Sequence, residues 1–159
     1  MIRVERTIAL EASRATVWAV LSDLGAVADY SPGVSKSWWL GDQRQGVGAA
    51  RHCDIAAGGY AKERVTIWDP ERGYTLHAYE GLPRMMKDLH VHFRLADLGG
   101  GTQVVQIMEV SLSARVIEWV LGWAIRGQLS KAIEANLDGL RVNLPAERPS
   151  VLVGIASAK

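Results

Sequence analysis

Arg51, Glu63 and Glu109 lie within runs of valine, isoleucine, tryptophan and tyrosine, where apolar side chains would be the ordinary choice. An arginine in such a place can polarise a ligand carbonyl or stabilise a developing oxyanion. It can also lie over an indole ring, and Trp38 is the nearest candidate. A glutamate whose pKa is lifted by burial can act as a general base. The structural alternative is an ion pair between Arg51 and Glu63 on neighbouring strands, with Glu109 at a strand end in solvent. Both readings stay open at this level.

Other reactive types lead less far. His90 and His92 are two apart and His77 lies on the preceding run, so a metal site could be drawn from them. Strand parity puts all three on the solvated face, and neither a metal nor a cofactor is expected. Cys53 reads as a small hydrophobe in a cavity wall. No Ser–His–acid spacing supports covalent catalysis. The "GVG" at 46–48 sits between two strands with no helix after it, so it is a hairpin turn and not a nucleotide loop.

The elements that must position these residues can be read from periodicity. Residues 2–10 alternate, with Ile2, Val4, Ile8 and Leu10 apolar, which predicts a strand. Ser13 is a candidate N-cap for a short helix carrying Val17, Trp18 and Leu21. A second short helix in "LGAVADY" stops at Pro32 and Gly33. From 34 to 111, short β-rich runs alternate with the turn clusters "GDQRQG", "AAGGY", "DPERG", "EGLPR" and "LGGGT", the pattern of antiparallel hairpins. A long helix is expected over about 114–143, with Leu129, Ile133, Leu137 and Leu140 along its buried stripe, and Pro145 after it. This is an α+β design, an antiparallel sheet with helices on one face. A curved sheet that one helix cannot fill leaves a pocket between them.

Alternation then assigns faces. Leu89, Val91, Phe93 and Leu95 are expected inward. Closing "LGGGT" with Thr102 opposite Ala96 turns Val105, Ile107 and Glu109 inward too. Closing "DPERG" with Ile67 opposite Tyr74 places Ile67, Val65 and Glu63 beside Tyr74, Leu76 and Ala78. Carried back, this register brings Arg51, Cys53 and Ile55 to the inner face and Trp38 opposite Arg51. A slip of one residue would exchange Trp38 for Trp39.

Bulk properties limit the function classes. Eighteen basic and seventeen acidic residues leave a net charge of +1, with no basic patch for nucleic acid. One cysteine allows no internal disulfide and suits a reducing, cytoplasmic setting. Charges interrupt the N-terminal apolar run, so neither a signal peptide nor stable membrane insertion is expected. The apolar "VIEWVLGWAI" at 116–125, with Trp119 and Trp123, could pack in the core, cap the pocket, form a homodimer contact or touch a membrane surface.

The stretches "IALEASRATVWAVLSD", "GVGAARHCD", "ERVTIWDPERGYTL" and "GGGTQV" resemble the START-like superfamily, also called Bet v 1-like or helix-grip, and within it the polyketide cyclase/dehydrase-type branch. The likeness covers roughly residues 2–143. It implies a helix-grip fold, with a curved seven-stranded antiparallel sheet around the long C-terminal helix and two short helices after the first strand. A ligand-binding domain over 1–144 would be followed by a tail at 145–159, disordered or packed as an extra strand. The resemblance implies an apolar cavity and a hydrophobic small-molecule partner: a lipid, isoprenoid, quinone or polyketide-like compound. The alternative it implies is a cofactor-free cyclase or dehydratase. Arg51, Glu63 and Glu109 are then the candidate catalytic groups. The ligand contacts expected are Tyr30, Trp38, Cys53, Val65, Ile67, Leu76, Leu89, Val91, Phe93, Ile107 and Trp123. Many relatives carry tryptophan before the Pro-Gly after the second helix, where this chain has Tyr30 in "DYSPG".

Overall fold

The computed structural model describes residues 1–146; the expectations for the tail fall largely on residues 147–159, outside the described residues. The chain forms β1 (Ile2–Leu10), α1 (Arg14–Leu21), a 3₁₀ helix (Leu24–Asp29), β2 (Val34–Leu40), β3 (Ala50–Ile55), β4 (Tyr60–Asp69), β5 (Gly73–Glu80), β6 (Met86–Leu98), β7 (Gly101–Leu112) and α2 (Arg115–Asn143). One antiparallel sheet of seven strands runs in the order β1-β7-β6-β5-β4-β3-β2. Strands β2 to β7 are therefore a meander. The two short helices carry the chain from β1 at one edge to β2 at the other.

Local chemistry explains the helices. The Ser13 hydroxyl accepts a hydrogen bond from the Thr16 amide at 3.2 Å, and α1 buries Val17 and Leu21. Trp18 meets Trp68 edge-on with ring centroids 4.9 Å apart, which ties α1 to the end of β4. Helix α2 packs against β1 and β7 with Ile125, Ile133, Leu137 and Leu140 buried. Leu144 leaves helical geometry just before Pro145. At Gly139 the helix comes close to the 3₁₀ helix's exit: a Cβ there would stand 1.9 Å from the Tyr30 carbonyl oxygen.

Register differs from the sequence reading at three hairpins. Leu98 pairs with Gly101, and the two-residue turn Gly99-Gly100 has positive φ at both positions, +52° and +99°. Such a turn matches the strand twist and suits paired glycines. Thr102 thus faces Asp97, Ala96 faces Gln103, and β7 turns Val104, Gln106, Met108 and Val110 inward. In β4 a bulge lies between Val65 and Ile67, so Val65 still faces Leu76 while Trp68, not Ile67, faces Tyr74. In the β2–β3 pair, Trp39 is opposite Arg51 and Trp38 is opposite His52.

Candidate functional site

The inner face of β3 carries Arg51 and Cys53, with Glu63 and Ala61 directly opposite them on β4. Arg51 Nε donates to Glu63 Oε2 at 2.7 Å, and Arg51 Nη1 donates to the Leu24 carbonyl at 3.2 Å. The Cys53 thiol lies 3.9 Å from the same carboxylate oxygen. The two charged side chains are only 6% and 10% exposed, so the pair is truly internal. Burial alone would favour a neutral arginine, but Glu63, with Cys53, Tyr30 and Tyr74 adding to it, outweighs that penalty and holds Arg51 charged. Burial pushes the Cys53 thiol up to about 11.

Tyr30, at the end of the 3₁₀ helix, reaches the same place. Its buried phenol lies beside Arg51 and Tyr74, and burial raises its pKa despite the arginine's pull. The Tyr74 hydroxyl is buried next to it without a hydrogen bond of good geometry, and burial holds its pKa well above the ordinary value.

Tyr30, Arg51, Cys53 and Glu63 form one wall of a cavity of about 290 Å³ between sheet and α2. Val27, Ile55, Leu89, Val91, Phe93, Met108 and Leu129 make most of the remaining lining apolar. Gln106 and Asn136 complete it on the β7–α2 side. The volume is at the small end of the range for small-molecule sites. A larger groove of about 670 Å³ on the other side is lined by Asp69, Arg72, His92 and Arg94 as well as Ile67 and Val105. Its wall mixes these charged side chains with apolar ones, and it lies away from the Arg51–Glu63 pair.

Of the residues named from sequence, the structure brings Tyr30, Arg51, Cys53, Glu63, Leu89, Val91 and Phe93 together around the cavity. Val65 and Leu76 face inward but are consumed by the packed core. The others lie elsewhere. Trp38 stacks on His52 at 4.2 Å on the outer face, while Trp39 packs between Gly25 and the Arg44 guanidinium, 5.3 Å from its ring. No indole therefore covers Arg51 as expected. Ile67 is 60% exposed because the β4 bulge turns it outward. The β7 register puts Ile107 in a row with His92, and Glu109 bridges Arg3 at 3.5 Å and His92 at 3.4 Å on the outer face. Trp119 and Trp123 are 86% and 78% exposed, so neither is a core or cavity residue. Among the described side chains of α2, the first buried large hydrophobic is Ile125, and the Met1 ammonium at the start of β1 is bonded to Glu118. The sheet thus offers those tryptophans nothing to pack on.

Gln106, Met108 and Asn136 were missed from sequence. The Gly99-Gly100 turn signal would have found the first two by fixing the β7 register. His77, Asp88 and His90 bring one ligand atom each within 4.8 Å of one another, on the face of the sheet opposite the cavity. Among the described residues no helix is long and apolar enough to cross a membrane.

The same architecture recurs at low identity. A START superfamily protein from Mycobacterium smegmatis is 16% identical with a TM-score of 0.75, covering 89% of this chain and 96% of its own. Ginseng major latex-like protein 151 from Panax ginseng is 10% identical at a TM-score of 0.73, covering 91% and 97%. The Zhui aromatase/cyclase from Streptomyces sp. R1128 is 22% identical at 0.61, covering 88% and 86%. These likenesses establish a shared helix-grip fold. No curated protein matches the sequence. Residues 1–144 match the family described as polyketide cyclase / dehydrase and lipid transport, so the chain belongs to it.

Proposed function

We infer that the protein binds one hydrophobic small molecule, of lipid, isoprenoid, quinone or polyketide-like character, between the sheet and α2. The observation that carries this is the cavity itself, which is apolar over most of its wall and has its charges gathered at one place. Burial of ligand surface supplies affinity at about 25 cal/mol per Å² before ordering costs. Arg51 gives that surface a polar anchor, already oriented by Glu63 and the Leu24 carbonyl.

A second reading, a cofactor-free cyclase or dehydratase, rests on the convergence of Tyr30, Arg51 and Glu63 on one wall. Arg51 would polarise a carbonyl, and Tyr30 or Glu63 would move the proton. It is the weaker reading, because Glu63 is committed to Arg51 and Glu109 lies outside the cavity.

Anilinonaphthalene sulfonate, an apolar probe with one anionic group, tests the anchor. Binding one probe per chain, weakened about tenfold or more by Arg51→Met with the fold intact, supports the binding reading. Binding that is unchanged in Arg51→Met refutes Arg51 as the anchor. Turnover of a polyketone chain that Arg51→Met abolishes without weakening its binding would favour the enzyme. A homodimer contact would use the exposed start of α2, and a monomeric mass at high concentration would remove it.

A further inference from the structure

Gln106 is a polar part of the cavity wall that neither the core nor the Arg51–Glu63 pair accounts for. It stands on β7 beside Phe93, in a row that continues to Tyr74 and Trp68, yet it is fully buried. Its Oε1 accepts a hydrogen bond from Asn136 Nδ2 of α2 at 3.3 Å. The other half of each amide is left over: Gln106 Nε2 and Asn136 Oδ1 are buried and have no partner among the described residues. Both residues line the cavity. A buried donor and a buried acceptor left unsatisfied are each expensive, and native structures keep few of them without a reason.

The two orphaned atoms define a complementary group. It must accept from Nε2 and donate to Oδ1. A hydroxyl does both, since it carries one proton and two lone pairs. A ketone, an ether or a carboxylate satisfies the Gln106 amide but sets a lone pair against Asn136 Oδ1. A hydrocarbon satisfies neither. Between this amide pair and the Arg51–Glu63 pair, the wall is Leu89, Val91, Phe93, Met108 and Leu129.

We propose that Gln106 and Asn136 form a hydroxyl-recognising subsite, and that the natural ligand is an apolar molecule bearing an alcohol or phenol that docks on α2 and β7, opposite the Arg51 anchor. This rests on the binding reading above and narrows it. The amide pair selects among hydrophobic molecules of similar size, because a ligand lacking the hydroxyl leaves both groups unpaired. The two amides are joined to each other through Asn136 Nδ2, so each fixes the orientation of the other.

The test compares naphthol, methoxynaphthalene and naphthalene, three probes of one apolar body, by titration calorimetry. The wild-type protein should bind naphthol about tenfold or more tightly than either analogue. In Gln106→Leu, and independently in Asn136→Leu, that ratio should fall towards one while naphthalene binding is kept. The Gln106→Leu/Asn136→Leu double variant should melt at a higher temperature than wild type in the absence of ligand, since two orphaned polar groups are gone. A wild-type protein that binds all three probes equally overturns this inference and leaves the cavity reading in place. The same holds for a naphthol preference that survives both single substitutions. Failure of all three probes to bind overturns the cavity reading and this one with it.

Discussion

Removing Glu63 should unfold this protein far more readily than removing the whole ion pair. The side chains of Arg51 and Glu63 are 6% and 10% exposed, and their 2.7 Å contact is charge-assisted. Glu63→Leu leaves a buried guanidinium whose remaining polar neighbours, the Leu24 carbonyl and the Tyr30 phenol among them, carry no compensating charge. Breaking one partner of an internal pair costs about 3–5 kcal/mol, against about 0–1 kcal/mol for an exposed pair. For a chain of this size each kcal/mol moves the melting temperature by about 2–4 °C, so a drop of about 6–20 °C is expected. The double substitution Arg51→Met/Glu63→Leu removes both desolvation penalties and should recover most of that loss. Urea unfolding of the four proteins gives the coupling energy directly. A Glu63→Leu loss below about 1 kcal/mol would show that cavity water already solvates the arginine. A double variant as unstable as the single would show that the pair is not the cause. Either result refutes the reasoning.

Three further outcomes follow from the geometry. Gly139→Ala should destabilise by about 1–3 kcal/mol although alanine is the better helix former by about 0.5–1 kcal/mol, because the new methyl meets the Tyr30 carbonyl; thermal unfolding reads the sign. Trp39→Ala should cost about 2 kcal/mol more than Trp38→Ala, since Trp39 packs against the core and Trp38 lies on the outer face; paired urea midpoints check it. Stability should fall as pH rises from 9 towards 11, because the folded Cys53 thiol is held at about 11 against an ordinary 9.0 and only the unfolded chain ionises it in that window. Burial of Tyr30 and Tyr74 acts in the same direction at higher pH. Cys53→Ala should flatten the lower part of that decline, measured as urea midpoints from pH 8 to 11.

The element order and the sheet were legible because each strand's alternation and each turn's glycines report on the same local geometry. The Arg51–Glu63 face was legible for a related reason: the β3–β4 register and the part of β4 before its bulge keep simple parity. What failed was parity carried across irregularities. One extra residue in β4 sent Ile67 outward, and one residue's difference in turn closure exchanged Gln106 for Ile107 and put Glu109 on the outer face. A period-two signal has no memory of which face it began on, so each slip inverts every residue beyond it. Trp119 and Trp123 failed differently. A helix's apolar face says that something covers it, and says nothing of whether the sheet extends far enough to do so. Asn136 was hidden because its value lies in a partner 30 residues away in sequence.

Native mass spectrometry of the gently purified protein, with extraction of whatever it carries, tests the central claim most directly. One hydrophobic molecule per chain is expected in the wild type, and Leu89→Trp, which fills the cavity, should abolish it. A wild-type protein that is empty as purified, and still takes up no apolar probe when one is supplied, would contradict the account.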